Sequence, residues 1–87
     1  MHNDNPPQEL ALALRARRSE QGLTQKQVGD LLGVDQSTYA RYEAGTFEPD
    51  RTRELWDRLQ AFLNMETSEF HGLMIETSFR IRERRAL

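Results

Sequence analysis

The spacing and punctuation of the chain predict an all-α fold, a compact five-helix domain followed by a C-terminal tail whose structure the pattern leaves open. Three observations carry this. Apolar residues recur three and four apart in successive segments, the spacing of one helical face. Those segments are bounded by cap residues and by glycines placed for left-handed stops. The 87 residues, 37% of them hydrophobic, supply one core and fall below the about 100–200 residues usual for a domain. Two domains are thereby excluded.

Residues 1–5 read as an arm. Asn5 is placed as an N-cap, Pro6 stands at the first helical position where its missing N–H costs nothing, and Gln8 falls at N3. The first helix carries Leu10 and Leu14 one turn apart, with Ala11 and Ala13 beside them, and ends before Gly22. Thr24 and Gln27 form a capping box for the second, with Leu23 and Val28 placed as a hydrophobic staple. Val28, Leu31 and Leu32 form its apolar stripe, and Gly33 stops it. Asp35 caps a third helix, Gln36 through Ala44, ended by Gly45. Asp50 is placed to cap the fourth, whose Leu55, Trp56, Leu59, Phe62 and Leu63 make an amphipathic face up to Asn64. Thr67 or Ser68 caps the fifth, with Phe70, Leu73 and Met74 on its apolar side. After Glu76 the alternation of Thr77, Phe79 and Ile81 with Ser78, Arg80 and Arg82 fits a strand, more helix or a frayed end. The domain is accordingly expected over residues 6–76, with 77–87 as a tail for dimerisation or partner binding.

Composition removes several classes of function. Without Cys there are no disulfides, thiolate metal sites or cysteine nucleophiles, which suits a reducing cytoplasm. No apolar run approaches the ~18 residues of a membrane span, and the opening MHNDNPPQ lacks the layout of a signal peptide. His2 and His71 are too few for a metal set, and no phosphate loop, dinucleotide fingerprint or nucleophile elbow is present. Neither an enzyme nor a cofactor is therefore expected. Twelve Lys and Arg against fourteen Asp and Glu leave a net charge of −2, so attraction to a polyanion must come from local arrangement.

The informative segment runs from Gln25 to Gly45. Two short helices are joined by Gly33-Val34-Asp35, a corner that makes them cross steeply and presents the second outward, with small Gly29 where the crossing partner comes close. On a wheel of ~100° per residue, Gln36, Ser37, Ala40 and Arg41 share one side of the third helix, and Tyr39 and Tyr42 lie opposite. The aromatic side is suited to burial. The other is slim and free of acids, with Thr38 flanking it, and it offers an amide for adenine and a guanidinium for guanine in a major groove.

Residues 23–45, with the Leu-Thr-Gln opening, Val28, Leu32, Gly33, Val34, the Tyr39 and Tyr42 positions and the Glu-x-Gly ending at Glu43–Gly45, resemble the lambda-repressor-like (Cro/cI, XRE-type) helix-turn-helix DNA-binding family. The likeness extends more weakly over residues 8–74. It implies a five-helix domain whose third helix reads double-stranded DNA, usually as a homodimer. By position, it implies base reading by Gln36 and Ser37, then Arg41, with Thr38 on base or backbone. Gln25 would contact a phosphate and buttress the start of the third helix, and Arg18 with Glu43 would bridge the first helix to the end of the third. The chain departs from the family pattern at Gly29, where Ala is common, at Arg17, where an apolar residue is common, and in its acidic net charge.

Backbone contacts are expected from helix N-termini and nearby cations, which singles out Lys26, Thr46, Arg51 and Arg53 besides Gln25. Between residues 15 and 53 seven cations face six acids, so the field there is nearly balanced. Trp56, Phe62 and Phe70 are expected in the core, and any left uncovered would mark a dimer surface. The leading expectation is a cytoplasmic transcriptional regulator, a repressor on a palindromic operator. An antitoxin that clasps a toxin with its Arg-rich tail while repressing its own operon is a second reading, and a protein-interaction module without DNA binding is a third.

Overall fold

The computed structural model describes residues 9–86, with side chains described over 9–77. Five helices follow one another: α1 (Glu9–Gln21), α2 (Gln25–Leu32), α3 (Gln36–Ala44), α4 (Arg53–Leu63) and α5 (Thr67–Ala86). No strand occurs among the described residues. The proposed caps at Asn5, Pro6 and Gln8 lie outside them.

Local chemistry sets most boundaries. At Thr24 the hydroxyl accepts from the Gln27 N–H at 3.1 Å, and the Gln27 carbonyl oxygen Oε1 accepts from the Thr24 N–H at 2.8 Å. This reciprocal box satisfies two of the donors that a helix start leaves open. Gly33 (φ 80°) and Gly45 (φ 73°) close α2 and α3 in the left-handed region, where a side chain would be strained. Asn64 does the same for α4 at φ 56°.

One core joins all five elements: Leu10 and Leu14 of α1, Val28 and Leu32 of α2, Tyr39 and Tyr42 of α3, Leu55, Leu59 and Leu63 of α4, and Phe70 and Met74 of α5. Neither α2, with eight residues, nor α3, with nine, would hold its shape alone in water. Each is stabilised by the face that it buries. α3 packs on α1 and α2, α4 on the same two helices, and α5 on α1. Trp56 and Phe62 are half-buried at the edge of this core, and Trp56 meets the buried Phe70 edge-on at 5.6 Å.

The corner between α2 and α3 is close enough to explain Gly29. A Cβ there would stand 2.9 Å from the Val34 carbonyl oxygen and 3.4 Å from that of Asp35. The departure at Arg17 also has a structural use. Its Nε donates to the Phe62 carbonyl at 2.8 Å, one of the last carbonyls of α4, which lacks a helical partner.

Four expectations are corrected or settled by tertiary packing. Leu31, assigned to the apolar stripe of α2, is 57% exposed, because α3 and α4 cover only the side that carries Val28, Gly29 and Leu32. The α4 cap position belongs to Thr52, not Asp50: the register that buries Leu55, Leu59 and Leu63 starts the helix at Arg53. α5 opens at Thr67 itself, its first turn closed from the Phe70 N–H to the Glu66 carbonyl at 2.9 Å, so neither Thr67 nor Ser68 caps it from outside. The alternating stretch after Glu76 is helical, as α5 continues to Ala86. Among the described residues no helix is long and apolar enough to cross a membrane.

Candidate nucleic-acid interface

The outward side of α3 begins at a capped turn. The Asp35 Oδ1 accepts from the Thr38 N–H at 2.9 Å and from the Ser37 hydroxyl at 3.3 Å. Hydrogen bonds from Thr38 hold this carboxyl below its ordinary range, with Ser37 and the Arg41 charge adding to the effect. Asp35 thus stays ionised and committed to the helix start, where negative charge is favoured. Gln36, Ser37 and Arg41 are exposed, Thr38 and Ala40 half-buried, and Tyr39 and Tyr42 fully buried. The split that the wheel predicts is present.

Behind this face a polar hub orients the helix. Arg18 donates to Glu43 through Nε at 2.5 Å and Nη2 at 3.1 Å, and through Nη1 to the Leu23 carbonyl at 3.1 Å. Gln25 Nε2 adds a bond of 3.2 Å to the same Glu43 carboxylate. Glu43 is only 4% exposed. Burial by itself would raise its carboxyl, but the hydrogen bonds led by Arg18 outweigh that and hold it below the usual carboxylate range. The fork of a guanidinium on a carboxylate fixes direction as well as distance. Three elements therefore meet at one side chain: α1 through Arg18, the start of α2 through Gln25, and the last turn of α3 through Glu43. The Gln25 amide reaches the end of α3, not its start. Buried Tyr39 lies against the same pair, and burial, followed by Glu43, pushes its phenol well above the ordinary value.

The backbone-contact candidates are more dispersed. Gln25 opens α2, with its side chain turned into the hub. Lys26 pairs along its own helix with Asp30 at 3.3 Å. The Thr46 hydroxyl donates to the Arg41 carbonyl at 3.3 Å. Arg51 lies 3.9 Å from the Glu48 carboxylate, and exposed Arg53 opens α4 beside Thr52, whose side chain makes no cap bond. Lys26, Arg51 and Arg53 all keep their charged ends at the surface.

A family model described as a helix-turn-helix domain matches residues 9–70. The chain belongs to this helix-turn-helix domain family. The matched segment of the helix-turn-helix domain spans α1 to α4 and the first turn of α5, leaving the rest of α5 beyond it. No curated protein and no solved structure matches the chain significantly.

One neighbour of the site escaped the sequence reading. Phe47, two residues beyond the Gly45 that ends α3, stacks on Tyr42 with ring centroids 5.8 Å apart and planes 5° from parallel, and the Arg41 guanidinium lies 4.5 Å from its ring centroid. An aromatic residue just past a helix-ending glycine was the available signal, because chain reversal there commonly folds an apolar side chain back on the last turn.

Proposed function

We propose that this helix-turn-helix protein is a sequence-specific DNA-binding transcriptional regulator, a repressor that acts as a homodimer on a palindromic operator. The observation that carries the reading is the division of α3. Tyr39, Tyr42 and Glu43 hold it from within, while the acid-free set of Gln36, Ser37 and Arg41 is exposed on the other side. A helix mounted in this way enters a major groove without meeting its own negative charge. Gln36 then offers its amide oxygen to accept from adenine N6 and its amide N–H to donate to adenine N7, Arg41 offers a fork to guanine, and Ser37 and Thr38 offer shorter contacts to base or backbone. Lys26, Thr46, Arg51, Arg53 and the first turn of α2 at Gln25 supply contacts to phosphates, which fix register without reading sequence. A two-fold dimer places two such helices about one turn of B-DNA apart, ~34 Å. Regulation follows from occupying a promoter.

Footprinting of the protein on the DNA upstream of its own gene tests this, together with titrations of the variants. Arg41→Ala and Gln36→Ala are expected to cost about 1–3 kcal/mol each and to relax base preference at one position per half-site. Equal loss over all sequences would reassign these residues to backbone contacts. Absence of any salt-sensitive DNA binding would leave a protein-interaction module.

A further inference from the structure

The segment that leaves α3 folds back onto it. Gly45 turns the chain in the left-handed region, and the Arg41 carbonyl then accepts both the Thr46 N–H at 3.1 Å and the Thr46 hydroxyl at 3.3 Å. This reversal lays half-buried Phe47 flat against Tyr42. Tyr42 is itself 2% exposed and meets Tyr39 edge-on at 6.4 Å, so the Phe47 ring is anchored to the core through a stack of aromatic side chains. The exposed Arg41 has its guanidinium over the same Phe47 ring, 4.5 Å from the centroid.

We propose that Phe47 is a specificity-positioning residue: an aromatic shelf that holds the Arg41 guanidinium ready for one base pair, so that base preference there depends on a side chain outside the reading face of α3. The proposal rests on the reading of α3 given above. An exposed arginine otherwise samples many rotamers and meets phosphates as readily as bases. A planar cation held over an aromatic ring has one flat face covered and leaves the N–H groups at its edge free for a bidentate bond to guanine. Lysine, a compact point charge, gains less from such a shelf.

The test is selection of duplexes from a library with a randomised core, using the full chain as wild type, Arg41→Ala, Arg41→Lys, Phe47→Leu, Phe47→Tyr and the double variant Arg41→Ala with Phe47→Leu. Arg41→Ala is expected to erase the preference at one base pair per half-site. Phe47→Leu should weaken that same preference about two- to fivefold, the range of an exposed cation–π contact, and leave the other positions unchanged. Phe47→Tyr keeps the ring and should keep the preference, Arg41→Lys should lose it, and Phe47→Leu should add nothing once Arg41 is Ala. Undiminished preference in Phe47→Leu, or an equal fall at every position, overturns the shelf while leaving the reading of α3 in place. If Arg41→Ala changes no base pair, the reading of α3 fails and the shelf falls with it. Should Phe47→Leu not fold, the nuclear magnetic resonance spectrum of the wild-type protein without DNA decides. Upfield ring-current shifts are expected at the Arg41 side chain, and unshifted signals there overturn the proposal.

Discussion

Glu43 shows how much can turn on one side chain. Its carboxylate is almost removed from water, and Arg18 and Gln25 between them supply the hydrogen bonds that make this tolerable. Removing one member of a buried ion pair costs about 3–5 kcal/mol; since Arg18 remains 26% exposed, Glu43→Ala is expected to cost less, about 2–3 kcal/mol, measured by urea unfolding at neutral pH. A pH dependence follows with a definite sign. The folded carboxyl titrates below its ordinary value of 4.5, so its contribution is complete above about that pH and is lost as pH falls towards the folded pKa. Asp35 shifts in the same direction and adds to the same acid limb. Stability should therefore drop as the solution is acidified through pH 4.5, and Glu43→Gln, already lacking the ionised group, should flatten that limb in unfolding curves. Equal acid sensitivity in the variant would assign the effect to other carboxylates.

The corner between α2 and α3 is where element-level chemistry is most exposed to test. Thr24→Ala removes one half of the capping box and should cost about 1 kcal/mol in chemical unfolding. Gly29→Ala sets two effects against each other. Alanine in place of glycine favours a helix by up to about 1 kcal/mol, but its Cβ would stand 2.9 Å from a backbone carbonyl that cannot rotate aside. Overpacking of this kind typically costs about 1–3 kcal/mol, so a net destabilisation of up to about 2 kcal/mol is expected, and a rise in melting temperature would refute the close approach. These elements also show what a sequence carries by itself. Thr24, Gln27, Gly33, Asp35, Gly45 and Asn64 mark their boundaries legibly because capping is settled within a few residues. Leu31 and Asp50 misled because exposure and helix register are decided by neighbours distant in sequence. The inward and outward sides of α3 were legible from period alone. Phe47 was not, since a loop has no period and its place is fixed by the chain reversal after Gly45.

For the molecule as a whole, a net charge of −2 means that affinity for DNA depends on where cations sit. On the proposed reading, Arg53→Ala should weaken binding to all duplexes by a similar factor and reduce the salt dependence of log K by about 1, while base preference persists; fluorescence anisotropy over a potassium chloride series measures both. A selective loss at one base pair would place Arg53 in a groove. The proposed homodimer predicts a sedimentation coefficient that rises with protein concentration, and an unchanging monomer with full operator binding would dispense with the two-fold arrangement. Across all of these scales, the residues that grip α3 and those proposed to read through it share no side chains: Tyr39, Tyr42 and Glu43 on one side, Gln36, Ser37 and Arg41 on the other. On the proposed reading, the lettering can thus be recut without recasting the type, which would leave this scaffold open to new addresses by exchange of a few surface tips, each at little cost to the frame beneath.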